Sequence, residues 1–150
     1  MQPRALGLQD LITGLRHVGF ITTDLEASLA HFTRVYGLEP AQIRVVPPFG
    51  EAAETRFAFI DLPHACFELI EPISERFREI LLKDRPGINH VAFNVRSLEE
   101  ALALLAARGI RPGHVTPNGM VELPSYKMAY LDPADTGGML IELIEPKAQT

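Results

Sequence analysis

The sequence predicts an α+β fold made of two tandem βαβββ modules. Three observations predict it. The chain repeats itself, each half opens with a strand followed by a capped helix, and strand alternation puts matching polar residues on matching faces. The segment Arg16-His17-Val18-Gly19-Phe20 returns as Asn89-His90-Val91-Ala92-Phe93, and Asp24-Leu25-Glu26-Ala27-Ser28-Leu29-Ala30 returns as Ser97-Leu98-Glu99-Glu100-Ala101-Leu102-Ala103. Gly37-Leu38-Glu39-Pro40 comes back as Gly109-Ile110-Arg111-Pro112, and Phe67-Glu68-Leu69-Ile70-Glu71-Pro72 as Ile141-Glu142-Leu143-Ile144-Glu145-Pro146. Short apolar words resemble one another by chance, but four landmarks do not stay in step along a whole chain by chance.

The first module is expected over residues 15–72. His17 to Thr22 is rich in β-branched and apolar residues and reads as its opening strand. Asp24 follows as a helix N-cap, and Leu25, Leu29 and Phe32 recur at helical spacing. Gly37 stops that helix, with Pro40 three positions on. Three extended runs complete the module: Ile43 to Val46, Arg56 to Asp61 and Ala65 to Glu71, with Pro47 to Glu51 as a loop.

Residues 73–87 connect the halves, with a helix expected over Glu75 to Lys83. The second module, 88–146, repeats the order. Ser97-x-x-Glu100 fits a capping box, Leu98, Leu102 and Leu105 make the apolar stripe, and Gly109 stops the helix. Its extended runs are a weak one near His114 to Thr116, then Lys127 to Asp132 and Met139 to Glu145, with Pro117 to Ser125 as a loop.

Composition bounds the function. At 150 residues and 47% hydrophobic the chain has material for one domain spanning 1–150. A net charge of −5 with scattered basic residues removes the electrostatic footprint of a nucleic-acid binder. No window carries the roughly 20 apolar residues that span a bilayer, and Met1 to Gly14 shows no leader pattern. The single cysteine, Cys66, cannot pair internally; a cytoplasmic protein is expected.

Alternation then selects candidate residues. On each opening strand Val18 and Phe20, or Val91 and Phe93, face away from His17 and His90; on each closing strand Phe67 and Leu69, or Ile141 and Leu143, face away from Glu68 and Glu142. The apolar faces should lie against the helices. The other faces then carry two imidazoles and two carboxylates, with small Gly19 and Ala92 beside the histidines. A lone strand histidine is usually a hydrogen-bonded residue and a lone glutamate usually solvated. Two carboxylates in one half-enclosed face, however, repel and need protons or a cation. His17, Glu68, His90 and Glu142 therefore suit one borderline divalent ion such as Zn, Ni, Co, Mn or Fe. His31, His64 and His114 lack a repeat partner and read as surface histidines, and Cys66 as a small buried residue.

Paired modules with His17, Glu68, His90 and Glu142 at these points resemble the vicinal oxygen chelate superfamily, which includes glyoxalase I, methylmalonyl-CoA epimerase, extradiol dioxygenases and fosfomycin or bleomycin resistance proteins. The resemblance covers nearly all of the chain beyond its first dozen residues. Gly87-Ile88-Asn89-His90-Val91-Ala92-Phe93, and Asp132-Pro133 followed by Thr136-Gly137-Gly138-Met139-Leu140-Ile141-Glu142-Leu143, are most similar to the epimerase branch. The resemblance implies a cupped mixed sheet around the metal, a homodimer, and a small-molecule substrate that is an acyl thioester or a glutathione adduct. It makes His17, Glu68, His90 and Glu142 the metal ligands and Glu142 also the base in enolate chemistry next to a carbonyl. Where the epimerases carry a second glutamate, this chain has Arg56, with Glu54 two residues earlier. The resemblance leaves either Glu54 as second acid/base or Arg56 as a substrate-binding group. Glu68 argues against the dioxygenases, which need two histidines and one glutamate only. A lactoylglutathione lyase of the glyoxalase I kind is the alternative enzyme, although its glycine-rich aromatic segment after Glu68 is missing. A resistance-type binding protein without turnover is the alternative of another class.

Overall fold

The structure, a computed structural model, describes residues 4–83 and 86–149. Met1–Pro3 of the N-terminal segment and Asp84–Arg85 of the expected 73–87 connection lie outside the described residues. Among the described residues eight strands and three α-helices follow in the order β1 (Ile12–Ile21), α1 (Leu25–Tyr36), β2 (Ile43–Val46), β3 (Thr55–Leu62), β4 (Ala65–Pro72), α2 (Glu75–Leu81), β5 (Gly87–Val95), α3 (Leu98–Ala106), β6 (Val121–Glu122), β7 (Tyr126–Tyr130) and β8 (Ile141–Pro146). The class is α+β with a mixed sheet, and the βαβββ order occurs twice.

Strand order is β2-β3-β4-β1 in the first module and β5-β8-β7-β6 in the second, so each module has the same internal order. In both, the opening strand pairs in parallel with the closing strand (β1 with β4, β5 with β8), and the remaining pairs within a module are antiparallel hairpin partners. A parallel return needs a long crossover, which the helix and the two intervening strands supply.

The chain divides into two compact units, His17–Asn89 and the segment up to Arg16 together with His90 onward. Each has its own core. In the first, Leu25 and Leu29 of α1 meet Ala58, Ile60 and Leu69, with Phe20, Phe32 and Phe67 packed against them. In the second, Leu98, Ala101 and Leu105 of α3 meet Val95, Ala129 and Leu143, and Leu11 with Leu8 and Ile12 joins them. The apolar strand faces thus lie against the helices, as alternation predicts. The N-terminal segment is part of that second core.

Both N-cap residues act as read, although the Ser97–Glu100 pair supplies only the Ser97 half of a capping box. Asp24 Oδ1 accepts the Ala27 N–H at 2.9 Å, and Gly37 closes α1 at φ 65°. Ser97 Oγ accepts the Glu100 N–H at 3.2 Å, and Glu145 Oε2 accepts the Leu98 N–H at 2.8 Å, so the first turn of α3 is capped twice. α3 ends at Ala106, before the expected stop at Gly109. Gly109, at φ 76°, lets the chain turn so that the Ile110 N–H reaches the Leu105 carbonyl.

One element differs. No strand forms at His114 to Thr116; the short strand β6 lies at Val121–Glu122, inside the stretch expected to be loop. The reason is local geometry. Gly113 sits so close to Asp132 that a Cβ would come within 2.6 Å of its Cα, and His114 turns left-handed at φ 55°. A chain with a left-handed residue at that point cannot run on as a strand. Among the described residues no helix is long and apolar enough to cross a membrane.

Candidate functional site

Glu68 is the register partner of Gly19 across the parallel β1–β4 pair, and His17 lies two residues earlier on the same face. Because Gly19 has no side chain, nothing from that position stands between the carboxylate and the imidazole. His17 Nε2 and Glu68 Oε2 lie 3.5 Å apart, with the residues 5% and 8% exposed. The second unit repeats the device. Glu142 is the register partner of Ala92, His90 lies two residues earlier, and His90 Nε2 is 3.2 Å from Glu142 Oε2, with exposures of 2% and 4%. A buried carboxylate is costly unless a charge or donors compensate it. The chain accepts that cost at both repeat-related positions.

Other side chains share these faces. In the second unit Tyr130 is the register partner of Glu142, and its ring meets the His90 ring edge-on at 5.4 Å. His114 meets the same tyrosine at 5.1 Å and 67°. It is therefore a half-buried residue rather than the surface histidine expected from sequence. Burial, followed by the nearby His90, holds its pKa below the ordinary value. The peptide carrying it is riveted: Thr116 Oγ1 donates within its turn and accepts the Tyr130 N–H at 2.8 Å, and the Gly113 N–H reaches the Tyr130 carbonyl at 2.9 Å. Sequence reading missed Tyr130 and His114. Tyr130 is the β7 residue that faces Glu142, a placement that only the strand register reveals.

In the first unit Phe59 is the register partner of Glu68, and Phe57 stacks on Phe59 at 6.2 Å. Arg56 alternates with those phenylalanines and therefore points to the other side of β3. Its Nε donates to the Pro47 carbonyl at 3.1 Å, its Nη2 donates to the Glu51 carbonyl, and its guanidinium lies 5.6 Å from the Phe49 ring. Glu54 is exposed just ahead of β3; its carbonyl accepts the Ile73 and Ser74 N–H groups. Cys66 is half-buried, and burial together with Asp61 pushes its thiol up to about 11. His31 and His64 are exposed.

A family model described as Glyoxalase/Bleomycin resistance protein/Dioxygenase superfamily matches residues 16–130. The matched span holds His17, Glu68 and His90 and stops short of Glu142. Among relatives, the mitochondrial methylmalonyl-CoA epimerase of Dictyostelium discoideum is 25% identical over 135 residues, covering 87% of this chain and 77% of that protein. The uncharacterized protein YqjC of Bacillus subtilis (strain 168) is 27% identical over 135 residues, covering 89% and 92%. Among solved structures, the methylmalonyl-CoA epimerase of Mycobacterium tuberculosis superposes with a TM-score of 0.72 at 28% identity, covering 92% of this chain and 91% of that one.

Proposed function

This chain belongs to the glyoxalase/bleomycin resistance protein/dioxygenase superfamily, and from that premise we propose that it is a metal-dependent isomerase inverting the carbon next to the carbonyl of an acyl thioester, as a methylmalonyl-CoA epimerase does. The observation that carries the reading is the pair of buried imidazole–carboxylate contacts at equivalent strand positions of a duplicated chain. His17, Glu68, His90 and Glu142 hold one divalent ion in this proposal. The first three are buried groups, each able to offer a ligand atom. Two neutral imidazoles and two carboxylates match Zn, Ni, Co, Mn or Fe by donor chemistry and leave positions for substrate on an octahedral ion.

Held by these four side chains, a divalent ion would supply Lewis-acid polarisation of the substrate's carbonyl. The chain's own residues do the rest. Glu142 takes the α-proton, a task suited to a carboxylate shielded from water. Tyr130, facing Glu142 and edge-on to His90, packs beside the carboxylate and limits its access to water. Inversion also needs a group that returns a proton to the opposite face, and we nominate Glu54 for it. Arg56, with donors on the Pro47 and Glu51 carbonyls, is assigned to holding that loop instead of binding substrate. A homodimer and a cytoplasmic location complete the proposal; sedimentation as a monomer would remove the first.

The test is proton exchange in deuterated water with each isomer of methylmalonyl-CoA and metal-loaded protein. The wild type should wash deuterium into the α-carbon and invert it. Glu142→Gln and Glu54→Gln should each lower inversion by at least about a hundredfold, and each should keep wash-in only from the isomer whose α-hydrogen faces the carboxylate that remains. No exchange by metal-loaded protein would contradict the proposal. In that case turnover of the glutathione hemithioacetal would assign a lyase, and binding of either compound without turnover a sequestering protein.

A further inference from the structure

We propose that Arg44 is the specificity residue of this site, holding a carboxylate carried on the acyl group of the substrate. The inference rests on the reading that Glu68 holds an ion to which the reacting carbonyl binds. It starts from a row across the sheet: Arg44 is the register partner of Phe59, Phe59 of Glu68, and Glu68 of Gly19, over the adjacent strands β2, β3, β4 and β1. Register partners project to the same face, so one face carries a guanidinium, an aromatic ring and a candidate metal ligand in line. This face lies opposite the core, which takes Ala58, Ile60 and Leu69 from the alternate positions.

Two features separate this row from an ordinary solvated strand edge. Phe57 and Phe59 stack on the face away from α1 and stay half-exposed outside the core, so β3 shows large apolar groups where alternation would normally place polar ones. Arg44 is exposed, and its guanidinium lies over the Phe59 ring, 4.5 Å from its centroid, which brings the charge toward the Glu68 row. Its charge is available: among the described residues no carboxylate pairs with it, and Asp61, two residues along β3 from Phe59, makes no ion pair with it. Arg111, by comparison, is committed to Asp135, and Arg56 to loop carbonyls. A guanidinium seated on an aromatic face keeps its planar edge donors free, which is the geometry that grips a carboxylate through two hydrogen bonds.

Reach selects the ligand class. Adjacent strands are about 4.8 Å apart, so a guanidinium folded over the middle strand stands roughly one spacing from the Glu68 row. A carboxylate attached close to the reacting carbonyl spans that gap. Phosphates at the far end of a long thioester arm do not.

The test uses metal-loaded protein and two probes, malonate and acetate, titrated calorimetrically. Arg44→Gln should weaken malonate by about tenfold or more, leave acetate unchanged, and leave metal content at the wild-type value; Arg44→Lys should recover part of the loss. Equal malonate affinity in wild type and Arg44→Gln would overturn the proposal even if methylmalonyl-CoA exchanges its proton normally. If that exchange is absent while malonate binding still depends on Arg44, the isomerase reading falls and the carboxylate anchor stands.

Discussion

Glu68 and Glu142 are buried acids, and the small residue facing each across a parallel strand pair is what makes their contact with a histidine possible. Cys66 shows the opposite use of burial. It lies on the Glu68 side of β4, facing Asp61, and its thiol is raised to about 11 by desolvation first and by that neighbouring carboxylate second. A raised thiol pKa keeps the proton on, so at pH 8 about one chain in a thousand carries the reactive thiolate. Cys66 should therefore react with iodoacetamide far more slowly than a free cysteine at that pH, with the rate still climbing toward pH 11. Labelling as fast as free cysteine at pH 8 would show that the side chain is not so enclosed. The four candidate ligands were legible in the sequence because duplication marked them and alternation put them on one side. Arg44 was not, since its meaning depends on which residues of β3 and β4 it faces, and β3 is apolar on both sides, with Phe57 and Phe59 on one and Ala58 and Ile60 on the other.

Among the elements, the capped helices and the hairpin β3–β4 follow directly from local chemistry: Asp24, Ser97 and Gly37 do what their types favour. The segment between α3 and β7 does not. Its course is set by Gly113, pressed on Asp132, by the left-handed His114, and by Thr116 bonded to the Tyr130 backbone. All these partners are distant in sequence, so β-favouring Val115 and Thr116 read as a strand that tertiary contacts forbid. Gly113→Ala would place a Cβ within 2.6 Å of Asp132. That overpacking should cost about 1–3 kcal/mol in chemical denaturation and displace His114 from Tyr130. Unchanged stability would mean the segment relaxes freely.

For the whole molecule, duplication explains both the paired cores and the paired half-sites. Leu69 and Leu143 occupy equivalent closing-strand positions and are each almost fully enclosed, beside Glu68 and Glu142 respectively. Each module thus packs its inner face into a core and carries one buried imidazole and one buried carboxylate, the candidate ligands, on the other. Half a site per module is chemically incomplete, because one imidazole and one carboxylate are too few to hold a catalytic ion firmly. The most direct measurement is a cobalt(II) titration of the wild type, His17→Ala and Glu142→Ala, one change in each module. The account predicts one ion per chain in the wild type, and affinity lower by at least about a hundredfold in both variants, more than loss of a residue that merely supports a ligand. A variant that binds cobalt as tightly as the wild type, or a wild-type chain that takes two independent ions, would contradict it.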